Sequence, residues 1–538
     1  MAGLWTMIRL ILRRDRIKLP LTAVITVATL IAMIPLLNDT YGDTESIEVL
    51  YSTMGMNPAM LFMTGPIDAA TFGSLVTIET LLWWGIAFAI INTLLVVRHT
   101  RHNEEIGAQE LLLSGQLHRA SNLVAVLIVA LGLNALIALG IGAGFELVND
   151  GYWATSSSWL YGVAMGVFGF VWACIAAVVV QLVESGRSAN GMLMGLIGAT
   201  FVARGIGDFM GKIGESGLHE PTIINLFNPY GWLQATRPLS TPDWAPLWIS
   251  IGVALVVAML GFMLLARRDV GAGLLPSRKG HARASRLLVT PLGLTWKLQK
   301  NIFIGWFIGI MVMVATIGSL VPQMNDVMEQ SESMSQVLTA IGGVGELLPS
   351  FMAAMMAISC LLVFGYTIHA LGKVRSEEAS GHLENLLATK LSRLKWLGGH
   401  VALIACSGVI MLALVGAVLA GLSNILADTN LDVVEYTVAS LSYLPMMLAF
   451  MALYLLLFGL SPRLASGVTW LYFGFTFFAL WLGPMLQLDQ WVMNLSIMEH
   501  VSTPPVEEII WGPLLFIALV AFALIVLGFG LFRQRNIG

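Results

Sequence analysis

Two short stretches, 274 positions apart, place acidic residues in the same pattern. The first reads RHNEEIGAQELLLSGQLHR from Arg101, and the second reads RSEEASGHLENLLATKLSR from Arg375. Eight of the nineteen aligned positions are identical: Arg101/Arg375, Glu104/Glu378, Gly107/Gly381, Glu110/Glu384, Leu112/Leu386, Leu113/Leu387, Leu117/Leu391 and Arg119/Arg393. Carboxylates at fixed places on a short helix can form charge-assisted hydrogen bonds with a basic partner. We favour a docking helix, with exposed glutamates and leucines packed beneath it, over a solvated charge run.

The chain contains no sequence that would bind nucleotide phosphate or a metal. The loop G-x-x-x-x-G-K-[ST] is absent, because the Gly211-Lys212 and Gly372-Lys373 pairs lack its spacing. No hydrolytic triad occurs, and the nine histidines and three cysteines show no metal-ligand spacing. We therefore expect this chain to be neither an enzyme nor the carrier of a cofactor or metal.

Three ionisable residues lie deep within apolar stretches: Glu79, Arg204 and Asp208. Arg204 and Asp208 are four positions apart, so they share one helix face and can pair. Charges in such places usually face protein or a water-filled cavity. Two interpretations stand equally, a structural ion-pair network in which Glu79 contacts Arg204, or a part of a translocation path.

Flexible thioethers and aromatic rings suit a pocket that accepts many apolar ligands. The residues that could line one are Trp83, Trp84, Met352, Met355 and Met356. Ordinary helix packing is the interpretation we favour for them.

The composition excludes a soluble globular protein. Of 538 residues, 57% are hydrophobic and 11% are charged, whereas soluble domains contain about 25% charged residues. About 20 apolar residues are needed to cross a bilayer as a helix. Twelve runs of that kind occur, at 19–38, 73–97, 120–145, 157–183, 190–210, 244–266, 302–321, 349–371, 396–422, 438–460, 466–484 and 512–532. We expect an all-α polytopic membrane protein of twelve transmembrane helices.

The basic residues predict the orientation of these spans. With a cytoplasmic N-terminus, 25 of the 28 lysines and arginines fall on the inner side, as the positive-inside rule requires. We expect a multi-pass protein of the bacterial plasma membrane with both termini in the cytoplasm.

The repeat divides the chain into two halves of six spans. Because six helices separate the copies, both halves insert in the same direction and the repeat is parallel. The predicted divisions are a first half at 1–267, a basic cytoplasmic linker at 268–292, and a second half at 293–538. The first half opens with an amphipathic helix at 3–18 and has an inner loop at 99–119 and an outer segment at 211–243. In the second half the equivalent loop and segment are 373–395 and 485–511.

The loop pattern E-x-x-G-x-x-E-x-L-L and the stretch NPYGWLQATRP, Asn228–Pro238, carry a resemblance to a known family. The whole chain resembles the membrane subunits of type-2 ABC exporters, in the fused two-half form described as exporters of polyketide antibiotics, including the tetronasin type. The corresponding stretch NLSIMEH, from Asn494, is diverged.

The resemblance implies roles for two sets of residues. The repeated loops would be coupling helices that dock on an ATPase, through Glu104, Glu105, Gly107, Glu110, Arg119, Glu378, Gly381, Glu384 and Arg393. The outer segment would hold re-entrant helices that form an extracellular gate, through Asn228, Pro229, Tyr230 and Trp232. An interfacial belt is equally consistent with the residues of that segment alone.

The function that we expect is export of hydrophobic or amphiphilic, drug-like or antibiotic-like compounds by alternating access. A separate ABC ATPase, as a homodimer, would bind ATP and Mg²⁺, and the remaining contacts would be with lipid and substrate, not nucleic acid. The first alternative is a proton- or sodium-coupled drug transporter that uses Glu79, Arg204 and Asp208. The second is an exporter of lipid or polysaccharide with the same fold.

Overall fold

The structure is a computed structural model that describes most of the chain. The described residues are 3–42, 47–48, 51, 58–113, 115, 118–211, 220, 222–275, 285, 288, 290–330, 347–389, 391–427, 429–482, 489–500, 502, 504 and 506–536. Parts of three predicted segments, the linker 268–292 and the outer segments 211–243 and 485–511, lie outside them, as does Leu117. All regular structure in these ranges is helical, which confirms the all-α membrane fold.

The chain divides into two compact units, Met1–Gly280 and His281–Gly538. Helices of the first unit are α1 Leu4–Arg14, α2 Lys18–Tyr41, α3 Pro58–Thr64, α4 Phe72–His99, α5 Arg101–Glu105, α6 Ala108–Leu113, α7 Ser121–Leu147, α8 Thr155–Leu182, α9 Gly186–Met210, α10 Ile223–Leu226, α11 Pro229–Ala235 and α12 Ala245–Arg267.

Helices of the second unit are α13 Pro291–Gln330, α14 Leu347–Ala379, α15 His382–Leu387, α16 Arg393–Ala427, α17 Val433–Leu441, α18 Leu444–Leu460, α19 Pro462–Leu482, α20 Gln490–Met493 and α21 Trp511–Gln534, with a 3₁₀ turn at Ile497–His500.

Eleven stretches of helix in the described part of the chain are long and apolar enough to cross a membrane. They cover every predicted span except 466–484. A helix does form there, α19, and it is not among the eleven. The number twelve therefore stays a prediction.

Helix α1 is amphipathic as expected, with Met7 and Ile11 buried and Arg9 exposed. Asp15, which sequence reasoning did not single out, adds an ionic contact between the end of α1 and the bundle. The Asp15 carboxylate accepts from His99 at 2.6 Å and pairs with Arg98 at 2.9 Å, both at the end of α4. Because Asp15 is 2% exposed, this pairing fixes the end of α1 beside the start of the first repeated loop.

Polar side chains join the helices inside the first unit. Asn92 in α4 and Asn134 in α7 exchange two side-chain hydrogen bonds, of 3.1 and 2.6 Å. A Cβ on Gly169 of α8 would lie 2.2 Å from the Asn134 side-chain oxygen. The absence of a side chain at Gly169 therefore lets three helices meet around one amide pair.

Replacing Asn92 by alanine should lower the thermal unfolding temperature of the purified full-length chain. The change leaves the buried Asn134 oxygen without its donor, which costs about 1 kcal/mol. Thr29→Ala is the matched control, because the exposed Thr29 hydroxyl donates to the Ile25 carbonyl of its own helix. Equal unfolding temperatures for the two variants would contradict a stabilising role for the pair.

Candidate functional site

Both repeated loops turn at the same glycine with the same backbone geometry. Gly107 and Gly381 each have a φ of 72°, in the left-handed region that glycine adopts without steric cost. The Gly107 amide donates to the Glu104 carbonyl at 3.1 Å, and the Gly381 amide donates to the Glu378 carbonyl at 3.0 Å. Each glutamate therefore lies one residue before the end of a helix and each glycine directly precedes the next helix, so the sequence repeat is also a conformational repeat.

In the first unit the loop is tied to the end of the last helix. Glu104 pairs with the Arg268 guanidinium through contacts of 2.5 and 2.9 Å, and Arg268 directly follows α12. The Arg119 guanidinium donates to the carbonyl of that same Arg268. We call Glu104, Arg119 and Arg268 the first latch.

The second unit contains the equivalent arrangement. Glu378 pairs with the guanidinium of Arg535, the residue that directly follows α21. Arg393 donates to the Arg535 carbonyl at 2.7 Å. Glu378, Arg393 and Arg535 form the second latch, in which the glutamate and the arginine of the repeat again bind the residue that follows the last helix of the unit.

The latches correct the expectation that all the loop glutamates are exposed. The Glu104 side chain is 7% exposed and that of Glu378 is 15% exposed, because their carboxylates serve ion pairs within the chain. Sequence reasoning missed Arg268 and Arg535, since these two arginines are 267 positions apart instead of 274. A search for the RR and RQR clusters after the last apolar run of each half could have found them.

A second pair of repeat glutamates does face outward. Glu110 and Glu384 are exposed, and neither carboxylate has a hydrogen bond or ion pair with any residue that the structure describes. Ile106 and Leu111 are exposed beside Glu110, so the surface combines charge with apolar side chains. Glu105 instead accepts from the Gly186 amide at 2.9 Å and holds the loop against the start of α9.

The leucines of the repeat behave mostly as expected. Leu112 packs against the core of the first unit, and Leu386 and Leu387 pack against that of the second.

Arg204 and Asp208 form the expected pair on α9, at 2.9 Å. Glu79 does not contact Arg204, and that hypothesis is wrong. The Arg204 guanidinium instead donates to the Phe62 carbonyl at 2.6 Å, so the last turn of α3 takes the place expected for Glu79. Asp208 also accepts from the side-chain amides of Asn225 at 2.5 Å and Gln234 at 3.1 Å.

The short helix α11 begins with a side-chain cap. The Asn228 carboxamide oxygen accepts from the Tyr230 amide at 3.0 Å, and its nitrogen donates to the Thr200 carbonyl of α9 at 2.7 Å. Pro229 occupies the first turn, where the missing amide hydrogen costs nothing. One side chain thus starts α11 and fastens it to α9.

The remaining gate candidates are buried within the first unit. Tyr230 is 0% exposed and contacts the rings of Phe168 and Phe201. The Trp232 indole donates to the Leu226 carbonyl at 2.7 Å. These side chains pack α10 and α11 into the bundle, and their role as an outer gate stays a prediction.

The aromatic and methionine candidates divide between the two units. Met352 and Met356 are fully buried in the core of the second unit and Met355 packs against it. These positions agree with ordinary helix packing, the interpretation that we favour from the sequence. Trp83 is exposed beside Phe201, while Trp84 packs against the core of the first unit.

Comparison with known proteins identifies a related efflux permease. Residues 288–533 match the family model of the C-terminal domain of the multidrug efflux system permease Rv1217c. Over 540 aligned residues the chain is 30% identical to the multidrug efflux system permease protein Rv1217c of Mycobacterium tuberculosis strain ATCC 25618 / H37Rv. The alignment spans 99% of this chain and 95% of that relative.

Changing Glu104 to glutamine should loosen the first loop while the bundle stays folded. The neutral amide leaves two buried guanidiniums, Arg101 and Arg268, without their carboxylate, and breaking such a pair costs about 3 kcal/mol. Hydrogen exchange of the amides at 101–113 in the full-length chain should rise by more than tenfold. Glu110→Gln, on the exposed side of the same loop, is the control, and equal exchange in the two variants would contradict the first latch.

Proposed function

We propose a mechanism from the premise that this chain belongs to the family of multidrug efflux system permeases that includes Rv1217c. The chain is a multi-pass membrane permease of the multidrug efflux type. In our proposal it is the transmembrane subunit of an ATP-driven ABC exporter, in the bacterial plasma membrane with both termini in the cytoplasm. Its substrates are hydrophobic or amphiphilic compounds.

The energy source in this proposal is a separate subunit. The sequence contains no phosphate-binding loop, so ATP and Mg²⁺ would be held by a partner ABC ATPase. The two repeated loops support two docking sites, one on each half, and therefore a homodimer of that partner. Glu110 and Glu384 would bind basic side chains of the two copies, since both carboxylates are exposed at equivalent places.

The latches support a route from the docking sites to the membrane. Each one ties the loop to the end of the last helix of its half, α12 or α21. Displacement of a loop by the ATPase would then move the end of that helix, because a largely buried carboxylate–guanidinium pair resists separation. Movement of both helix ends would switch the two halves between inward-facing and outward-facing states, and this alternation would export the substrate.

A proton- or sodium-coupled transporter is the second candidate, and Glu79 is the observation that favours it. Glu79 is half-buried on α4, and its carboxylate has no ion pair or hydrogen bond with any residue in the described ranges. A carboxylate of that kind can take up and release a proton. Arg204 and Asp208 fit this role less well, because each is already bound within a network of buried partners.

An exporter of lipid or polysaccharide with the same fold would differ from the proposed drug exporter only in its substrate. The relative is named for multidrug efflux, and this favours drug-like compounds over lipid and over polysaccharide as substrates.

Reversing the charge at both outward glutamates tests the proposal. Glu110→Lys with Glu384→Lys should abolish co-purification with a co-expressed ABC ATPase of the same genome, and should abolish ATP-dependent dye efflux from proteoliposomes that contain both subunits. Like charges facing the basic partner surface would repel instead of attract. Glu508→Lys is the matched control, because Glu508 is exposed on a segment predicted to face the other side of the membrane.

Two results would overturn this function. The first is efflux by the purified chain alone that persists without ATP and stops when the proton or sodium gradient is collapsed; loss of that efflux in Glu79→Gln would establish the second candidate. The second is full ATPase binding and efflux by the doubly reversed variant.

A further inference from the structure

The first unit contains a cavity of about 450 Å³ where the chain bends from α1 into α2. We call residues 15–17, which join these two helices, the elbow. Both helices pack against α7, which forms the other side of the cavity. Asp15 and Arg16 are the polar residues of the lining, and its apolar side chains include Ile8, Leu12, Leu19, Ile128, Val129 and Leu136.

The wall that α7 contributes is an open apolar groove. Ile128, Gly132 and Leu136 are four residues apart, so they form one row along the helix. Ile128 is 41% exposed and Leu136 is 56% exposed, and a Cβ added at Gly132 would meet no atom within 4 Å. The row is roughly 12 Å long at 1.5 Å per residue, and the hydrocarbon of one leaflet is about 15 Å deep. The groove therefore has the length and the lining that suit one acyl chain.

The polar end of the cavity lies at the start of α7. Asn122, the second residue of α7, donates to the His99 carbonyl at 3.0 Å, and the His99 ring contacts Asp15 of the elbow at 2.6 Å. From the elbow the cavity extends along α7 as far as Leu136. Because α7 is a membrane-spanning helix, the cavity runs from the membrane surface toward the bilayer interior.

Arg16 gives the polar end a positive charge. Asp15 is 2% exposed and its carboxylate is paired with Arg98 at 2.9 Å. Arg16 is exposed, and its guanidinium has no hydrogen bond or ion pair with any residue in the part of the chain that the structure describes. Arg9 and Arg13, also exposed, precede it at four- and three-residue spacing. Basic pockets of this kind beside membrane-spanning helices favour anionic lipid headgroups.

We propose that this cavity binds one phospholipid with an anionic headgroup, taken from the leaflet on the N-terminal side of the membrane. The headgroup phosphate accepts from the Arg16 guanidinium, and one acyl chain lies along Ile128 and Leu136, over Gly132. A soluble anion would leave the apolar groove uncovered, and a zwitterionic lipid would leave the positive charge of Arg16 uncompensated. The inference goes beyond the proposed function and holds for either energy source, because it needs only the membrane fold.

Native mass spectrometry of the purified full-length chain in detergent tests this site, because it counts the lipids bound to each chain. The chain is titrated with dioleoyl phosphatidylglycerol, which is anionic, or with dioleoyl phosphatidylcholine, which has the same acyl chains and a zwitterionic headgroup. The first phosphatidylglycerol should bind at least tenfold more tightly than the first phosphatidylcholine. Glycerophosphoglycerol, the headgroup without acyl chains, should not displace it.

Two variants remove the two parts of the site separately. Gly132→Phe fills the groove and should weaken the first phosphatidylglycerol at least tenfold, whereas Arg16→Gln should reduce the preference over phosphatidylcholine to threefold or less. Gly252→Phe, at another exposed glycine with no atom within 4 Å of an added Cβ, is the control for the first. Arg463→Gln, at an exposed arginine of the second unit, is the control for the second, and neither control should change binding.

Equal affinity of the unaltered chain for the two lipids would overturn the proposal, as would displacement by the free headgroup. Unchanged phosphatidylglycerol binding in both Gly132→Phe and Arg16→Gln would also overturn it, and the use of two variants means that a folding defect in one leaves the other to decide. A dimer of the chain that Gly132→Phe dissociates would assign the groove to a second copy and overturn the lipid site.

Discussion

A carboxylate–guanidinium pair between a loop and the end of a distant helix is the interaction on which each half depends. Such pairs are strong only where water is excluded and geometry is good, and the first latch meets both conditions, with side chains that are 2% and 7% exposed. Arg119 and Arg393 add a second contact to the same helix ends. Two side chains, one glutamate and one arginine, therefore hold the loop of each half against the end of that helix.

The repeat glutamates differ in exposure because of these carboxylate–guanidinium pairs. Glu104 and Glu378 are committed to contacts within the chain, whereas Glu110 and Glu384 are exposed. Asp15 reinforces the first loop from the other side, where it binds His99 and Arg98. In the first half α9 runs from the loop, where Gly186 contacts Glu105, to the buried Arg204–Asp208 pair.

Sequence reasoning succeeded where the signal is local or repeated. The positions of the helices follow from apolar runs, and the Arg204–Asp208 pair follows from four-residue spacing on one helix. It failed where the partner comes from elsewhere in the chain: Arg268 for Glu104, and the Phe62 carbonyl for Arg204 in place of Glu79. The exposure of a glutamate depends on that distant partner, so the repeat located the loops but could not distinguish Glu104 from Glu110.

Exchange of charges within the second latch tests the central claim most directly. ATP-dependent efflux per ATP hydrolysed is measured with the partner ATPase for Glu378→Arg, for Arg535→Glu, and for the chain that carries both changes. We predict that each single change uncouples hydrolysis from efflux, because like charges then face each other at the end of α21, and that the double change restores most of the coupling. Single variants that remain fully coupled would contradict transmission through the latch.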